Sequence, residues 1–409
     1  MVLNLLKPSQ LGEIPKDWKR VKISDVMKVR QGLQIAISER LTSPTSTSKE
    51  YITIQSIKKT DQVREYVEAP SQRVICSKDD VLMTRTGNTG IVVTGVEGAF
   101  HNNFFLMDFD KNRIDTTFLV NYLRSPRIQH LILTKAGAST IPDLNHKDFY
   151  SIEFPLAPIL EQQKIAKILS TWDKAISTTE RLIENSTQQK KALMQQLLTG
   201  KKRLLDESGK RFKNEWKQVI FGEVAKLSSK KYNPLKANQC LPCIELEHLD
   251  QASGRILGSA NANELASMKN HFEAGSVLFG KLRPYLRKYA RPNFEGVCST
   301  EIWVFKTTPQ LLDEYLFHFV QTDKFVSESN KSSGSKMPRA DWGVVSELVI
   351  KIPNLKEQQK IATVLTNADK EIELLEQQLA DFQQEKKALM QVLLTGKKRV
   401  VVDGAVAGS

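Results

Sequence analysis

The chain is poor in the residues that most catalytic and metal-binding motifs need. Four cysteines in 409 residues are too few for a disulfide framework, and a reducing, cytoplasmic setting is the expectation. The six histidines form no H-E-x-x-H pair. Cys240-Leu-Pro-Cys243 is a lone C-x-x-C, with His248 and Cys298 as the remaining candidate ligands; buried strand cysteines explain the pattern as well as zinc does. TGKK at 199–202 lacks the upstream glycine and the terminal hydroxyl of a phosphate loop. The one Asn-Pro, Asn233-Pro234, continues Leu-Lys rather than the Pro-aromatic of an amino-methyltransferase. No set of clustered carboxylates beside a lysine suggests a nuclease. No run of roughly 18 apolar residues exists to cross a membrane, and prolines and charges interrupt the N-terminal stretch MVLNLLKPSQLGEIPKDW too early for a signal peptide. These absences disfavour a zinc site, a phosphate loop and an intrinsic nuclease or methyltransferase.

Basic charge and repetition are present instead. The net charge is +13 and the pI about 9.4, which suits a polyanionic partner. Residues 161–203, EQQKIAKILSTWDKAISTTERLIENSTQQKKALMQQLLTGKKR, recur at 357–399 as EQQKIATVLTNADKEIELLEQQLADFQQEKKALMQVLLTGKKR. The offset is 196 without a gap, and 25 of 43 columns are identical.

Each copy predicts a helix. Apolar positions alternate in steps of four and three: Ile165, Leu169, Trp172, Ile176, Thr179, Ile183, Ser186, Lys190, Leu193 and Leu197. Their partners are Ile361, Leu365, Ala368, Ile372, Leu375, Leu379, Phe382, Lys386, Leu389 and Leu393. This is the heptad of a coiled-coil seam, and the two copies are expected to pair antiparallel. Asn354 with Glu357 resembles a capping box; Gly200 and Gly396 sit where a left-handed C-cap belongs. About 38 residues give a rod of roughly 57 Å. Flush antiparallel ends would set Lys386 opposite Trp172 and Lys190 opposite Ala368. The lysines would then fix register, with a cation–π contact on Trp172, or else snorkel to water.

The repeat extends beyond the helices. Asp17-Trp18-Lys19-Arg20-Val21 is echoed by Glu215-Trp216-Lys217-Gln218-Val219. Short β-rich runs follow each tryptophan: 51–57, 80–86, 90–96 and 103–109 in the first half, 241–249, 276–282 and 301–306 in the second. Helix-like patches at 117–133 and 311–328, small-residue loops, and strands ending IEFP and LVIKIP complete each half. The fold expected is α+β, with an internal pseudo-two-fold repeat. The divisions are a mixed α/β domain at 1–157, a helix at 158–200, a charged linker at 201–214, a second domain at 215–353, a helix at 354–396 and a tail at 397–409. The globular halves share an apolar skeleton but few polar residues, as two different recognition surfaces on one scaffold require.

Basic and small polar stretches are the candidates for nucleic-acid contact. KLRPYLRKYARP at 281–292 interleaves Lys281, Arg283, Arg287, Lys288 and Arg291 with Tyr285 and Tyr289. The equivalent TRTGNTG offers Arg85, Thr86, Asn88 and Thr89 between glycines. Such groups hold phosphates or read base edges, although solvated loops would look the same. Lys135, Lys331, Lys336 and Arg339 lie in the small-residue loops, and the GKKR clusters suit either DNA or a helix cap.

Proline followed by EQQKIA, a heptad, and LLTGKKR, twice over, resembles type I restriction–modification specificity subunits. GASTIPDLN at 137–145 is similar to that family's segment before the first spacer helix, while SSGSKMPRADW keeps only its outline. The resemblance covers nearly the whole chain. It implies two target recognition domains reading a bipartite, asymmetric duplex DNA sequence, held apart by an antiparallel coiled coil. It also implies two modification subunits that use S-adenosylmethionine to methylate adenine, and restriction subunits that use ATP and Mg2+. An interaction scaffold binding another polyanion, such as structured RNA, is the alternative; an intrinsic nuclease or methyltransferase would need motifs that are missing. If the helices act as a ruler, inserting four residues in one adds about 6 Å and should lengthen the preferred spacer by roughly one or two base pairs. Mapping the methylated motif of such a mutant checks this, and an unchanged spacer would sink the ruler.

Overall fold

A computed structural model describes residues 6–7, 14–58, 63–137, 140–237, 239–331 and 337–402. Two compact units divide the chain: Met1–Glu180 with Gln377–Ser409, and Arg181–Glu376. Each long helix, Ile159–Leu197 and Leu355–Leu393, therefore gives its first half to one unit and its second half to the other.

Besides two two-stranded pairs, Leu6–Lys7 with Ile14–Pro15 and Lys19–Lys22 with Glu153–Leu156, the first unit holds two four-stranded sheets. One orders Met27–Gln31, Phe104–Phe109, Val81–Thr84 and Val92–Val93, all antiparallel. The other orders Tyr66–Val67, Lys49–Ile52, Gly98–Phe100 and Ile75–Cys76, with one parallel pair. The second unit repeats this plan. Ala225–Leu227, Ile302–Thr307, Val277–Gly280 and Tyr289–Ala290 form one sheet, and a five-stranded sheet again contains a parallel pair, Pro242–Ile244 with Gly296–Cys298. Cys243 and Cys298 are buried on that pair, and burial pushes the Cys243 thiol up to about 12; Cys240 is exposed. The predicted runs at 51–57 and 241–249 leave the strand early and turn helical, at Ile54–Lys58 and Leu246–His248. The patch at 117–133 forms two helices because Ser125-Pro126 opens the second.

Inside the first unit, the start of the first long helix runs antiparallel to the end of the second. Ile165, Leu169, Leu393 and Leu394 share one core with Trp18, Phe118 and Phe154. Trp172 packs edge-on against Phe382, ring centroids 5.6 Å apart. The second unit mirrors this: Leu197 and Leu198 join Ile361 and Leu365 in a core with Phe221 and Tyr315. Among the other heptad positions, Ile176, Ile183, Leu193, Ile372, Leu379 and Leu389 are half-buried.

The seam lysines pair across the helices, as a role in fixing register requires, but with acidic partners that the sequence reading did not name. Lys386 pairs with Asp173, not with the Trp172 face, and Lys190 pairs with Asp369. Their side chains are only 16% and 14% exposed, so neither snorkels to water. The carboxylates lie one residue beyond the expected partners and offer a charge that an indole face cannot match. Burial pushes the Asp369 carboxyl above its usual range, and Lys190 opposes that shift.

The helix starts are built around two buried side chains. Glu161, 3% exposed, accepts from the Trp18 indole at 3.0 Å and from Arg399 at 2.7 and 2.8 Å; Arg399 also holds Asp17. Glu357, fully buried, accepts from Trp216 at 3.3 Å and from Arg203 twice at 2.6 Å. The expected capping box is therefore half-made: Asn354 accepts from the Glu357 amide, but the Glu357 carboxylate is committed to Arg203 and Trp216. Residues 201–214 include this latch, so the region read as a linker is anchored at Arg203. Gly200 and Gly396 adopt φ of +73° and +68°, and a Cβ at either would meet the tryptophan of its own unit.

The next residue matters equally. Gln162 donates to the carbonyls of Ala157 and Arg113 and accepts from the Asp115 amide. Gln358 does the same with Pro353, Gln310 and Leu312, each at 2.9 Å. Gln358→Leu strands one buried backbone group, the Pro353 carbonyl, and two part-buried ones, at Gln310 and Leu312, and should cost about 2 kcal/mol, whereas the exposed neighbour Gln359→Leu should stay within about 0.5 kcal/mol. Urea denaturation of the two variants checks this difference.

Candidate nucleic-acid interface

In each unit a strand end meets the small-residue loop that precedes the long helix. In the first, Thr86 bridges Asp143, the Gly87 amide donates to the Pro142 carbonyl at 3.0 Å, and Leu144 donates to Arg85. In the second, Leu282 bridges Arg339, the Arg283 amide donates to Pro338 at 2.7 Å, and Ala340 donates to Lys281. Every one of these pairs recurs at the same offset of 196. The backbone at the two candidate stretches is thus one structure carrying two sets of side chains.

The first set is largely committed to the fold. Arg85 donates to both Asp143 carboxylate oxygens at 2.9 Å and lies over the Phe105 ring at 5.4 Å. The Thr86 hydroxyl donates to the same carboxylate, and buried Thr89 donates to the carbonyls of Arg85 and Pro142. Lys135 is tied to the Ser151 hydroxyl at 2.8 Å. Asn88 is exposed and lines a cleft of about 1240 Å3 with Arg40, Gln55, Ser56, Arg64 and His101. Arg40 and Arg64 are held by Glu65 and Glu50, so the cleft's charges are balanced. Ile37, Val63 and Ile141 stand exposed on its lining at 78%, 73% and 63%. None of these cleft residues was legible as a site, because only folding gathers them.

The second set divides. Arg287 donates to the Gln321 carbonyl and pairs with Asp323. Lys288 donates to the Leu246 carbonyl at 2.6 Å, and Tyr289 to Ala252. Arg291 holds the Gly275 carbonyl and Glu314, and Arg339 pairs with Glu301 at 3.0 Å. These side chains are structural braces in this state. Lys281, Arg283 and Tyr285 have no side-chain partner among the described residues; Arg283 is exposed and Tyr285 is 51% exposed. Lys331, just past the end of the helix Asp323–Ser329, pairs with Glu328 on that helix, and Lys336 lies outside the described residues.

Two units with one backbone plan and different exposed side chains at equivalent loops define a paired recognition protein. Comparison with known proteins agrees. Residues 15–186 and again 213–383 match the type I restriction modification DNA specificity domain, and the chain belongs to that family. The MjaVIII specificity subunit of Methanocaldococcus jannaschii is 24% identical over 411 residues, spanning 95% of this chain and 94% of that protein. The EcoDI specificity subunit of Escherichia coli is 24% identical over 380 residues, 86% of this chain and 81% of that one. The fold is similar to the crystal structure of the S subunit of a type I restriction–modification system from M. genitalium, with a TM-score of 0.57 at 16% identity over 96% of this chain and 97% of that one.

The division between braces and uncommitted cations predicts different responses to salt. Lys281→Ala should lower the slope of log affinity for duplex DNA against log salt by about 0.9. Arg291→Ala should leave that slope unchanged and instead cost about 1 kcal/mol of stability. Affinity titrations across salt, with thermal melts of both variants, check the assignment.

Proposed function

We propose that this chain is the DNA-specificity subunit of a type I restriction–modification enzyme and carries no chemistry of its own. Its two recognition domains read the two halves of a bipartite, asymmetric duplex target. The long helices fix the unread spacer and offer equivalent docking surfaces to two modification subunits. Those subunits would bring S-adenosylmethionine, and restriction subunits would bring ATP and Mg2+; none of these is a cofactor of this chain. The setting is the cytoplasm.

The observation that carries this reading is the repeat of the specificity domain at 15–186 and 213–383, with different side chains at equivalent loops. Methylation of both strands needs methyltransferases placed about a two-fold axis, which a single chain provides through an internal repeat. The asymmetry of the target then follows from the unlike loops. Basic groups supply affinity through phosphates. In the first unit, Asn88 suits adenine and the exposed Ile37 and Ile141 suit thymine methyls.

Co-expression with a candidate methyltransferase from the same genome, sizing of the complex and mapping of methylated bases test the proposal. Two partners per chain, with adenine methylation at one split motif on both strands, is the expected result. No complex and no split motif, together with preferential retention of structured RNA over duplex DNA, would overturn it in favour of the scaffold.

A further inference from the structure

We infer that Arg283 is a guanine-reading residue of the second domain, an assignment that rests on the DNA-reading function proposed above. Arg283 sits at φ +52° and ψ +61°, a left-handed conformation disfavoured for any residue with a Cβ. The fold imposes it, because the equivalent residue Gly87 takes φ +79° and makes the same amide bond to a proline carbonyl, Pro142 in place of Pro338. Glycine is the unstrained solution at this position, and the first domain uses it. The second domain accepts the strain of an arginine, and strained residues of this kind gather at functional sites.

The side chain does nothing for the fold that would justify that strain. Arg287, Arg291 and Arg339 each hold a carboxylate of the same unit. Arg283 is exposed and holds none among the described residues. It is flanked by Lys281 and half-exposed Tyr285, while Pro284 is buried and restricts the chain that follows. The cluster therefore offers an uncommitted guanidinium beside a phosphate-seeking ammonium on a stiff loop. A guanidinium's planar fork matches guanine O6 and N7 in the major groove; lysine lacks the fork, and a phosphate contact would not need it.

The test uses the chain co-purified with its methyltransferase partners, selecting from a randomised duplex DNA library. The variants are Arg283→Gly, which relieves the strain, and Arg283→Lys, which keeps the charge. The wild-type complex should enrich a split motif with a fixed guanine in one half. Arg283→Gly should lose that guanine alone, with discrimination at that position falling roughly ten- to a hundredfold, the rest of the motif retained, and an equal or higher Tm. Arg283→Lys, which keeps a donor but not the fork, should keep a weakened preference for that guanine. An unchanged motif in Arg283→Gly would overturn the assignment, as would a uniform loss of affinity across all sequences, the mark of a phosphate anchor. No enrichment by the wild-type complex would overturn the DNA-reading function itself, and the assignment with it.

Discussion

A buried glutamate shared between an indole and an arginine closes each unit. Glu161 joins Trp18, at the start of its domain, to Arg399, just past the end of the other long helix. Glu357 joins Trp216 to Arg203 in the same way. Removing either carboxylate from water is costly, and only a close bidentate arginine with a further donor offsets the cost. The geometry is therefore demanding. It requires a helix start, a helix end and a domain entry at one point, and so fixes which half of which helix completes each core. Gln162 and Gln358 then satisfy the turns that enter those helices.

Once those points are fixed, the loops opposite can vary. The paired bridges at Thr86–Asp143 and Leu282–Arg339 keep their backbone bonds through proline carbonyls, which do not depend on side-chain identity. Side chains at the same places change from a clamped Arg85 to uncommitted Lys281 and Arg283. A scaffold whose hydrogen bonds are main-chain can exchange its recognition chemistry without refolding. This separation lets one fold carry two unlike sets of loop side chains.

Much of this was legible in the sequence, for identifiable reasons. The helices, their heptad and the repeat are local or periodic signals, and the strand runs at 80–86, 103–109, 276–282 and 301–306 alternate with clear breakers. The latch was not legible. Arg203 and Arg399 read as helix-cap charges because their partners lie 154 and 238 positions away. A signal did exist: Trp, Glu and Arg all recur at nearly one offset, although nothing in one dimension says that they meet. The intramolecular partners of the basic stretch at 281–292 were hidden for the same reason. Asp323, Glu314 and the Leu246 carbonyl, which occupy Arg287, Arg291 and Lys288, are distant in sequence. The seam lysines were placed against the facing heptad residue, whereas the neighbouring Asp173 and Asp369 supplied the stronger partner.

Whether the Glu–Arg pair closes each unit is measured most directly by a double-mutant cycle on Glu357 and Arg203. Glu357→Gln, Arg203→Met and the double variant would be unfolded in urea alongside the wild type. Each single change should cost on the order of 3 kcal/mol, and the double should cost less than their sum by at least about 1.5 kcal/mol. Costs that simply add, with no coupling, would contradict that closure.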